Sequence, residues 1–498
     1  MPFTSIENLD SDIGDPWSST LLNMAALAKR LPRTVLPPLS RAMWGAVEPA
    51  AQSLIVPLSN YSEPPVMTKA GAPAKVTTLA NGFKVASCEM TGPATTVGVY
   101  VETGSKFDSV PGTAHVLQHM AFKSSTSKSA LMMVRDAEMM GAAVSCTTGR
   151  ENMVYQVDTL TASVPAAVAM LAETTLRPKL LAWELQEAGS TVEAEASSMK
   201  TNHMALVQEL MHPAAYGAAS PLGKPLMAKP SSLGDVDPSV LGAFVSTQFV
   251  PEKMVLAAAG YDHDELVSLA KKYFGGLPKG GAAAAPPKDS YVGGEVRLLQ
   301  EEPVTHFAIG FEGTGWKGAD LVPLCVLNTL MGGGTSFSAG GPGKGMYTRL
   351  YQNVLNRLPF VQAASVFNSF YNETGVFGVY GAAPASEMGS LVSALLDELK
   401  KMKGAISAEE LARAKMQLKA SLLMNLESRP VLFEDIGRQV LTYGARTEPE
   451  ALVKQIEAVT AADLTKVATK LLKSPPSVVV VGDTTAVPRY DIIAKALA

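Results

Sequence analysis

The sequence predicts an α+β fold made of two tandem, homologous domains. Each is expected to be a mixed sheet with helices on one face, in an α/β-sandwich-like arrangement. Two strand-like runs on either side of a Gly/Ala/Pro-rich stretch match one another, Val97–Glu102 with Phe307–Phe311 and Met254–Gly260 with Ser477–Gly482. The two runs of the first half are 156 residues apart, and the two runs of the second half are 171 residues apart. These similar separations indicate a duplicated unit and not a short-period solenoid.

Composition sets the expected division of the chain. Residues 276–294 consist largely of small residues and prolines, which cannot pack a core, and are predicted to be a linker. We therefore expect a first domain over residues 66–275 and a second over residues 295–498. Residues 1–65 are left as a separate N-terminal arm.

The arm allows two interpretations. Residues 17–47 contain four cationic side chains and no acid, which is typical of a mitochondrial transit segment. The acids that precede them, Glu7, Asp10, Asp12 and Asp15, do not fit such a segment. The alternative is a flexible arm that packs on a partner, and the residues leave both interpretations open.

Composition also excludes some classes of protein. The chain has 498 residues, of which 47% are apolar and 18% charged, as in ordinary globular proteins. A formal charge of −4 argues against a nucleic-acid-binding protein. No apolar run is long enough for a membrane span, and three widely spaced cysteines indicate buried thiols in a reducing compartment.

Periodicity and turn residues predict the elements of the first domain. An Asn81-Gly82 turn between two short apolar runs predicts a hairpin, and Thr113 and Ser127 are candidate N-caps of two helices. The remaining expected strands are 143–147, 153–159 and 254–260, and the remaining helices are 163–177, 181–200 and 264–274.

The helix predicted at Thr113 carries the most informative motif. His115 and His119 lie one turn apart on the same helical face, a spacing suited to two metal ligands. In an inverted zinc-peptidase motif, H-x-x-E-H, a glutamate directly before the second histidine serves as general base. Here that position is Gln118, whose amide cannot take up a proton near neutral pH. Two ordinary helical histidines are the alternative interpretation.

The second domain has no such motif but contains a glycine-rich segment. Seven of the fourteen residues from Gly332 to Gly345 are glycine, which exposes backbone N–H and C=O groups. Lys344 is followed by Gly345 and not by Ser or Thr, so a phosphate-binding P-loop is disfavoured. A mobile loop that binds an extended peptide fits better, and a surface connection without a ligand is the alternative. The predicted substrate-binding residues are Gly332, Gly333, Gly334, Ser336, Phe337, Gly340, Gly341, Gly343, Lys344 and Gly345.

Taken together, these stretches resemble the pitrilysin/insulinase-type metallopeptidase family. The resemblance covers roughly residues 66–495 and rests on five segments. These are Gly112–Ser125, Met254–Gly260, Met331–Tyr347, Met424–Arg429 and Glu434–Gly444. The glycine-rich segment is the most specific of them, because it marks a non-catalytic subunit of a heterodimer and not its catalytic partner.

The resemblance also implies where a third zinc ligand and a supporting glutamate would lie. A glutamate on the later helix completes the triad in active members, and Glu193 is the first candidate for it, with Glu195 as the alternative. The supporting glutamate lies seven positions earlier, at Gln186 in the first alignment and Ala188 in the second. No catalytic residue is therefore expected in this chain, and no metal ligand is assigned, with His115, His119 and Glu193 as vestigial candidates.

The function that the resemblance implies is recognition of basic mitochondrial presequences, without catalysis by this chain alone. The expected partner is a related catalytic subunit that carries the zinc, and no cofactor is expected here. Related subunits of plants and algae also serve as core subunits of respiratory complex III on the matrix side of the inner mitochondrial membrane, so other complex III subunits are further expected partners. A purely structural core subunit and an independently active zinc peptidase are the alternatives.

Overall fold

The computed structural model describes residues 73–280, 289–335 and 346–497. The N-terminal arm of residues 1–65, linker residues 281–288 and most of the glycine-rich segment lie outside the described residues. All described residues belong to one compact unit that begins at Lys69.

Two six-stranded mixed sheets form the centre of the molecule, one built from each half of the chain. The first contains β1 (Lys75–Thr78), β2 (Lys84–Cys88), β3 (Ala94–Val101), β4 (Ala143–Thr148), β5 (Met153–Leu160) and β6 (Met254–Ala259). The second contains β7 (Gly294–Leu299), β8 (Val304–Glu312), β9 (Gly333–Thr335), β10 (Ala363–Phe370), β11 (Gly375–Pro384) and β12 (Ser477–Gly482).

The order of strands is β1-β2-β6-β3-β5-β4 in the first sheet and β7-β12-β8-β11-β10-β9 in the second. One parallel pair occurs in each, β2 with β6 and β7 with β12. In both sheets the late strand, β6 or β12, lies between that parallel partner and β3 or β8. The predicted correspondence of β3 with β8 and of β6 with β12, and with it the tandem α+β fold, is therefore confirmed.

The helices lie on both faces of these sheets. In the first half they are α1 (Thr113–His119), α2 (Ala130–Met139), α3 (Val164–Leu176), α4 (Ala182–Thr201), α5 (His203–Tyr216), α6 (Pro238–Gln248) and α7 (His263–Phe274). In the second half they are α8 (Leu321–Met331), α9 (Met388–Lys401), α10 (Ala408–Asn425), α11 (Arg429–Tyr443), α12 (Pro449–Ala458), α13 (Ala461–Leu471) and α14 (Tyr490–Leu497).

Each half places one helix on the sheet of the other half. Side chains of α5, among them Met211 and Ala215, pack with Ala308 and Val479 of the second sheet. Reciprocally, residues of α11 pack on the first sheet. The expected placement of helices on one face only is wrong, because periodicity shows that a helix has an apolar face but not which sheet that face contacts. The exchange buries both faces of β6 and β12, which accounts for their uninterrupted apolar sequences.

Local chemistry confirms the predicted hairpin and corrects two caps. Gly82 adopts a φ of 93° in the β1–β2 turn, a conformation that favours glycine. Thr113 is the first residue of α1 and not its N-cap, which is Gly112. Ser129, not Ser127, caps α2 by accepting a hydrogen bond from the Met132 N–H.

No helix within the described ranges is long and apolar enough to cross a bilayer. The three cysteines are not joined by disulfide bonds: Cys88 is buried, whereas Cys146 and Cys325 are partly exposed.

Candidate functional site

The candidate site begins with α1, whose first turn is fixed by a buried carboxylate. Asp108 accepts hydrogen bonds from the Gly112 N–H at 2.9 Å and the Ala114 N–H at 3.0 Å, so it satisfies donors that a helix start leaves free. Burial raises the pKa of Asp108 to about 7, against the lowering effects of these N–H groups and of Lys224. These hydrogen bonds fix the first turn of α1.

α1 and α4 together bring three potential ligands to one point. The Oε2 atom of Glu195 lies 3.0 Å from the Nε2 atoms of both His115 and His119. The two Nε2 atoms are 3.4 Å apart. Among the described residues, this is the one cluster of at least three His, Cys, Asp or Glu side chains that could hold a metal ion.

The choice of Glu193 as third candidate ligand was wrong, and Glu195, the alternative, takes its place. Two positions along a helix turn a side chain to a different face, and α4 turns Glu193 towards solvent. The correction moves the supporting position from Gln186, which is exposed, to Ala188, which is buried at 3% exposure. An apolar methyl group therefore occupies the place where the resemblance implied a carboxylate.

Gln118 lies between the two histidines on α1 and is half-buried. Its Oε1 accepts a hydrogen bond of 2.8 Å from the Thr148 N–H at the end of the edge strand β4. An amide cannot take up a proton near neutral pH, so Gln118 cannot act as general base. Its hydrogen bond instead ties α1 to the sheet.

His115 is buried, with 4% of its surface exposed. Its second ring nitrogen, Nδ1, accepts a hydrogen bond from the Ala228 N–H at 3.2 Å. Burial lowers the pKa of His115, and His119 lowers it further, while Glu195 raises it. Each ring nitrogen of His115 thus has a defined hydrogen-bond partner.

The donor separations suit zinc, but the surroundings of His115 Nδ1 do not. Tetrahedral zinc with bonds of about 2.0–2.2 Å places its ligand atoms about 3.3 Å apart, close to the separations observed here. A histidine that ligates a metal normally donates its other ring N–H to an acceptor. His115 Nδ1 faces a donor. The residues therefore do not fit a zinc ion in the arrangement that the structure shows.

Comparison with known proteins places this arrangement in a family. The family model described as Insulinase (Peptidase family M16) matches residues 84–229, and the one described as Peptidase M16 inactive domain matches residues 235–418. The first match contains α1 and α4, with all three residues of the cluster. The chain belongs to peptidase family M16.

Similar relatives of this M16 chain are alpha subunits of mitochondrial-processing peptidases. The alpha subunit of the mitochondrial-processing peptidase from Solanum tuberosum is 42% identical, over 88% of this chain and 86% of the relative. The probable alpha-1 subunit from Arabidopsis thaliana is 38% identical, over 91% and 90%. The alpha subunit from Bos taurus is 37% identical, over 85% of both chains. The resemblance inferred from the residues is thereby confirmed.

The start of the glycine-rich segment is built into the second sheet of this M16 chain. Gly332 and Gly333 have φ values of 55° and 117°, and a Cβ atom would overlap Thr348 at the first and the Ala364 carbonyl at the second. Gly334 has open space around it. Backbone geometry therefore accounts for Gly332 and Gly333 without a ligand. The other predicted substrate-binding residues, Ser336, Phe337, Gly340, Gly341, Gly343, Lys344 and Gly345, lie outside the described residues.

Sequence reasoning did not find two residues that shape the site. In the sequence, Asp108 looks like any other acidic residue after Phe107. The one local signal is Gly112, four residues later, which adopts a left-handed conformation as the N-cap of α1. Ala228 acts through its backbone, and no side-chain pattern reports such a contact. Gly112 allows this contact, because a Cβ atom there would lie against Ala228.

Proposed function

We propose that this chain is the non-catalytic, presequence-binding subunit of a heterodimeric mitochondrial processing peptidase. The observation that carries the proposal is Gln118, an amide at the position of the general base, in a site that otherwise retains two histidines and a glutamate. The names of the M16 relatives support the alpha-type assignment and a mitochondrial location. In this proposal, the zinc and the base that cleave the substrate belong to a beta-type partner.

Substrate binding is assigned to the glycine-rich segment. Its described start, β9, is the edge strand of the second sheet and pairs with β10. Among the described residues, no further strand pairs with the outer side of β9. Apart from the Gly333 N–H, which donates to Thr348 Oγ1, its backbone groups can therefore bind an extended peptide, which suits presequences of varied sequence. Tyr347, which follows the glycine-rich segment, is 70% exposed and can add apolar contacts to a bound peptide.

The proposal is tested by reconstitution. The purified chain, a beta-type subunit and their mixture are each assayed for cleavage of a fluorogenic presequence peptide. We expect cleavage only by the mixture. Zinc-dependent cleavage by this chain alone, abolished by His115→Ala, would show that it is an enzyme in its own right.

Attachment to respiratory complex III at the matrix side of the inner membrane is the finer part of the proposal. It is supported only by the resemblance to plant and algal subunits. Native purification followed by identification of co-migrating proteins tests it. Co-migration with cytochrome subunits is expected, whereas recovery with a beta-type subunit alone would restrict the chain to a processing role.

A further inference from the structure

We infer that His115, His119 and Glu195 form a metal-free hydrogen-bonded clamp, in which the Ala228 amide holds His115 in the tautomer that cannot ligate a metal through Nε2. The inference deepens the proposed non-catalytic role of the same site. It states why a chain that keeps all three side chains of the cluster does not use them for zinc.

The position of the His115 proton follows from counting donors. A neutral imidazole carries one N–H, and Nδ1 must present a lone pair to the Ala228 N–H, which lies 3.2 Å away. The proton is therefore on Nε2, which donates to Glu195 Oε2 at 3.0 Å. The Nε2 lone pair that a metal would need is absent in this tautomer.

Glu195 takes the place that a metal ion would have as the common partner of the histidines. Its Oε2 atom accepts from Nε2 of His115 and from Nε2 of His119, each at 3.0 Å. A carboxylate oxygen can accept two such bonds. The clamp thus joins α1 to α4 without a metal ion.

The amide that fixes the tautomer is itself held in place. Glu209 Oε1 accepts from the Leu226 N–H at 2.6 Å, and Asp289 Oδ1 accepts from the Leu222 N–H at 2.9 Å. Arg150 joins the same segment, donating to Glu209 at 2.8 Å and to the Leu222 carbonyl at 3.3 Å. These bonds anchor residues 222–226, which lie just before Ala228, and Gly112 lies against the Ala228 backbone on the other side.

Binding of a metal at Nε2 would therefore require two unfavourable changes. The His115 proton would have to move to Nδ1, where it would face the Ala228 N–H, and the hydrogen bond at Nδ1 would be lost. Glu195 would also have to exchange its contacts with both histidines for a single contact with the metal.

The tautomer can be observed directly in the full-length chain with its histidines labelled with ¹⁵N. The chain has six histidines, and the ring signals of His115 are assigned by their loss in His115→Asn. His212 is an internal control, because its Nδ1 lies 2.8 Å from the Gln208 carbonyl and must carry the proton there. We expect Nε2–H for His115 and Nδ1–H for His212. An Nδ1–H signal for His115 would overturn the inference.

The second measurement is zinc affinity. It compares the unmodified chain with a protein in which an ester replaces the amide between Met227 and Ala228. The ester removes the N–H with little change in shape, so the Nδ1–H tautomer becomes available. We expect no stoichiometric zinc in the unmodified chain at neutral pH, and at least a tenfold gain in zinc affinity in the ester protein that His115→Ala abolishes.

Two results would overturn the inference. One is stoichiometric zinc in the unmodified chain that disappears in His115→Ala. The other is an ester protein that binds zinc no better than the amide protein. Neither result bears on whether a heterodimer cleaves presequences, so failure of this inference is distinguishable from failure of the proposed function.

Discussion

At the level of single residues, the candidate site differs from a working peptidase centre in three groups. Gln118 replaces a base, the Ala228 N–H directs the His115 proton to Nε2, and buried Ala188 occupies the supporting position. Only the first can be read from a motif. The second is a backbone contact, and the third depends on knowing that Glu195 and not Glu193 joins the histidines.

Because three groups differ, restoring one should not restore catalysis. We expect Gln118→Glu to leave the isolated chain at least roughly a hundredfold below the heterodimer in presequence cleavage, since one base without a secured metal is poorly placed. The assay is cleavage of a presequence peptide in zinc-containing buffer. Gln186→Glu is the matched control, because it makes the same change on the exposed face of α4. Turnover by Gln118→Glu near that of the heterodimer would refute this account of the site.

A second prediction concerns His306 on β8, which stacks on His203 with ring centroids 4.2 Å apart and has a 2.6 Å hydrogen bond to the Tyr380 hydroxyl. Burial, and then His203, lower the pKa of His306 to about 4. The unfolded chain, with an ordinary histidine pKa of about 6.5, binds the proton more readily between these values, so this residue's contribution to stability falls as the pH drops.

We expect His306 to account for a loss of roughly 2 kcal/mol in unfolding free energy between pH 6.5 and pH 5. Thermal unfolding of the unmodified chain and of His306→Phe is measured at both pH values. The contribution of His306 is the part of the pH-induced shift in the unfolding midpoint that is lost in His306→Phe. His203→Asn should reduce the shift without abolishing it, because burial, the larger cause of the lowered His306 pKa, remains. An unchanged shift in His306→Phe would assign the pH dependence to other groups.

At the level of elements, the sequence predicted every strand of the first sheet and five helices of the first half, but no helix of the second half and not which elements pack together. The alternation and turn residues of β1 to β6 identify strands because these signals are local. The exchange of α5 and α11 between the sheets is a long-range property, and an apolar helical face does not name the sheet that it covers.

The exchanged helix α11 depends on a glycine. A Cβ atom at Gly437 would overlap the ring of Tyr100 on β3, which also packs against Phe433 with ring centroids 5.1 Å apart. We expect Gly437→Ala to cost about 1–3 kcal/mol through overpacking. The midpoint of urea unfolding measures it.

Gly389→Ala on α9 is the control, because the one atom near its Cβ position is the Ala486 carbonyl oxygen, at 3.9 Å. Gly389 lies in the first turn of α9, so its replacement by alanine should change stability by less than about 1 kcal/mol. Equal midpoints for the two variants would contradict the close packing of α11 on the first sheet.

The start of the glycine-rich segment offers a similar pair. Gly333→Ala places a Cβ against the Ala364 carbonyl at a φ of 117°, so we expect it to disrupt the β9–β10 pairing at a cost of about 1–3 kcal/mol. Gly334→Ala meets no neighbouring atom and should change stability by less than about 1 kcal/mol. Unfolding midpoints of both variants test the stability prediction, and their presequence affinity is measured in the heterodimer. A more damaging Gly334→Ala would show that the edge pairing is not the reason for these glycines.

At the level of the whole molecule, the two halves form one unit in which each completes the core of the other. The α1 site of the first half and β9, the described start of the glycine-rich segment, therefore belong to the same compact unit. The duplication was visible in the sequence because matched strands recur in order. The site was only partly visible, because its hydrogen bonds join residues up to 113 positions apart, as between His115 and Ala228.

The central claim is that this chain binds presequences and leaves their cleavage to a partner. The most direct measurement is the affinity of a fluorescent presequence peptide for the heterodimer, with and without residues 336–345 of this chain. We predict that the shortened chain still assembles, with the partner's zinc retained, and binds the peptide at least tenfold more weakly. Unchanged affinity and cleavage rate in the shortened heterodimer would contradict the claim and favour a structural role.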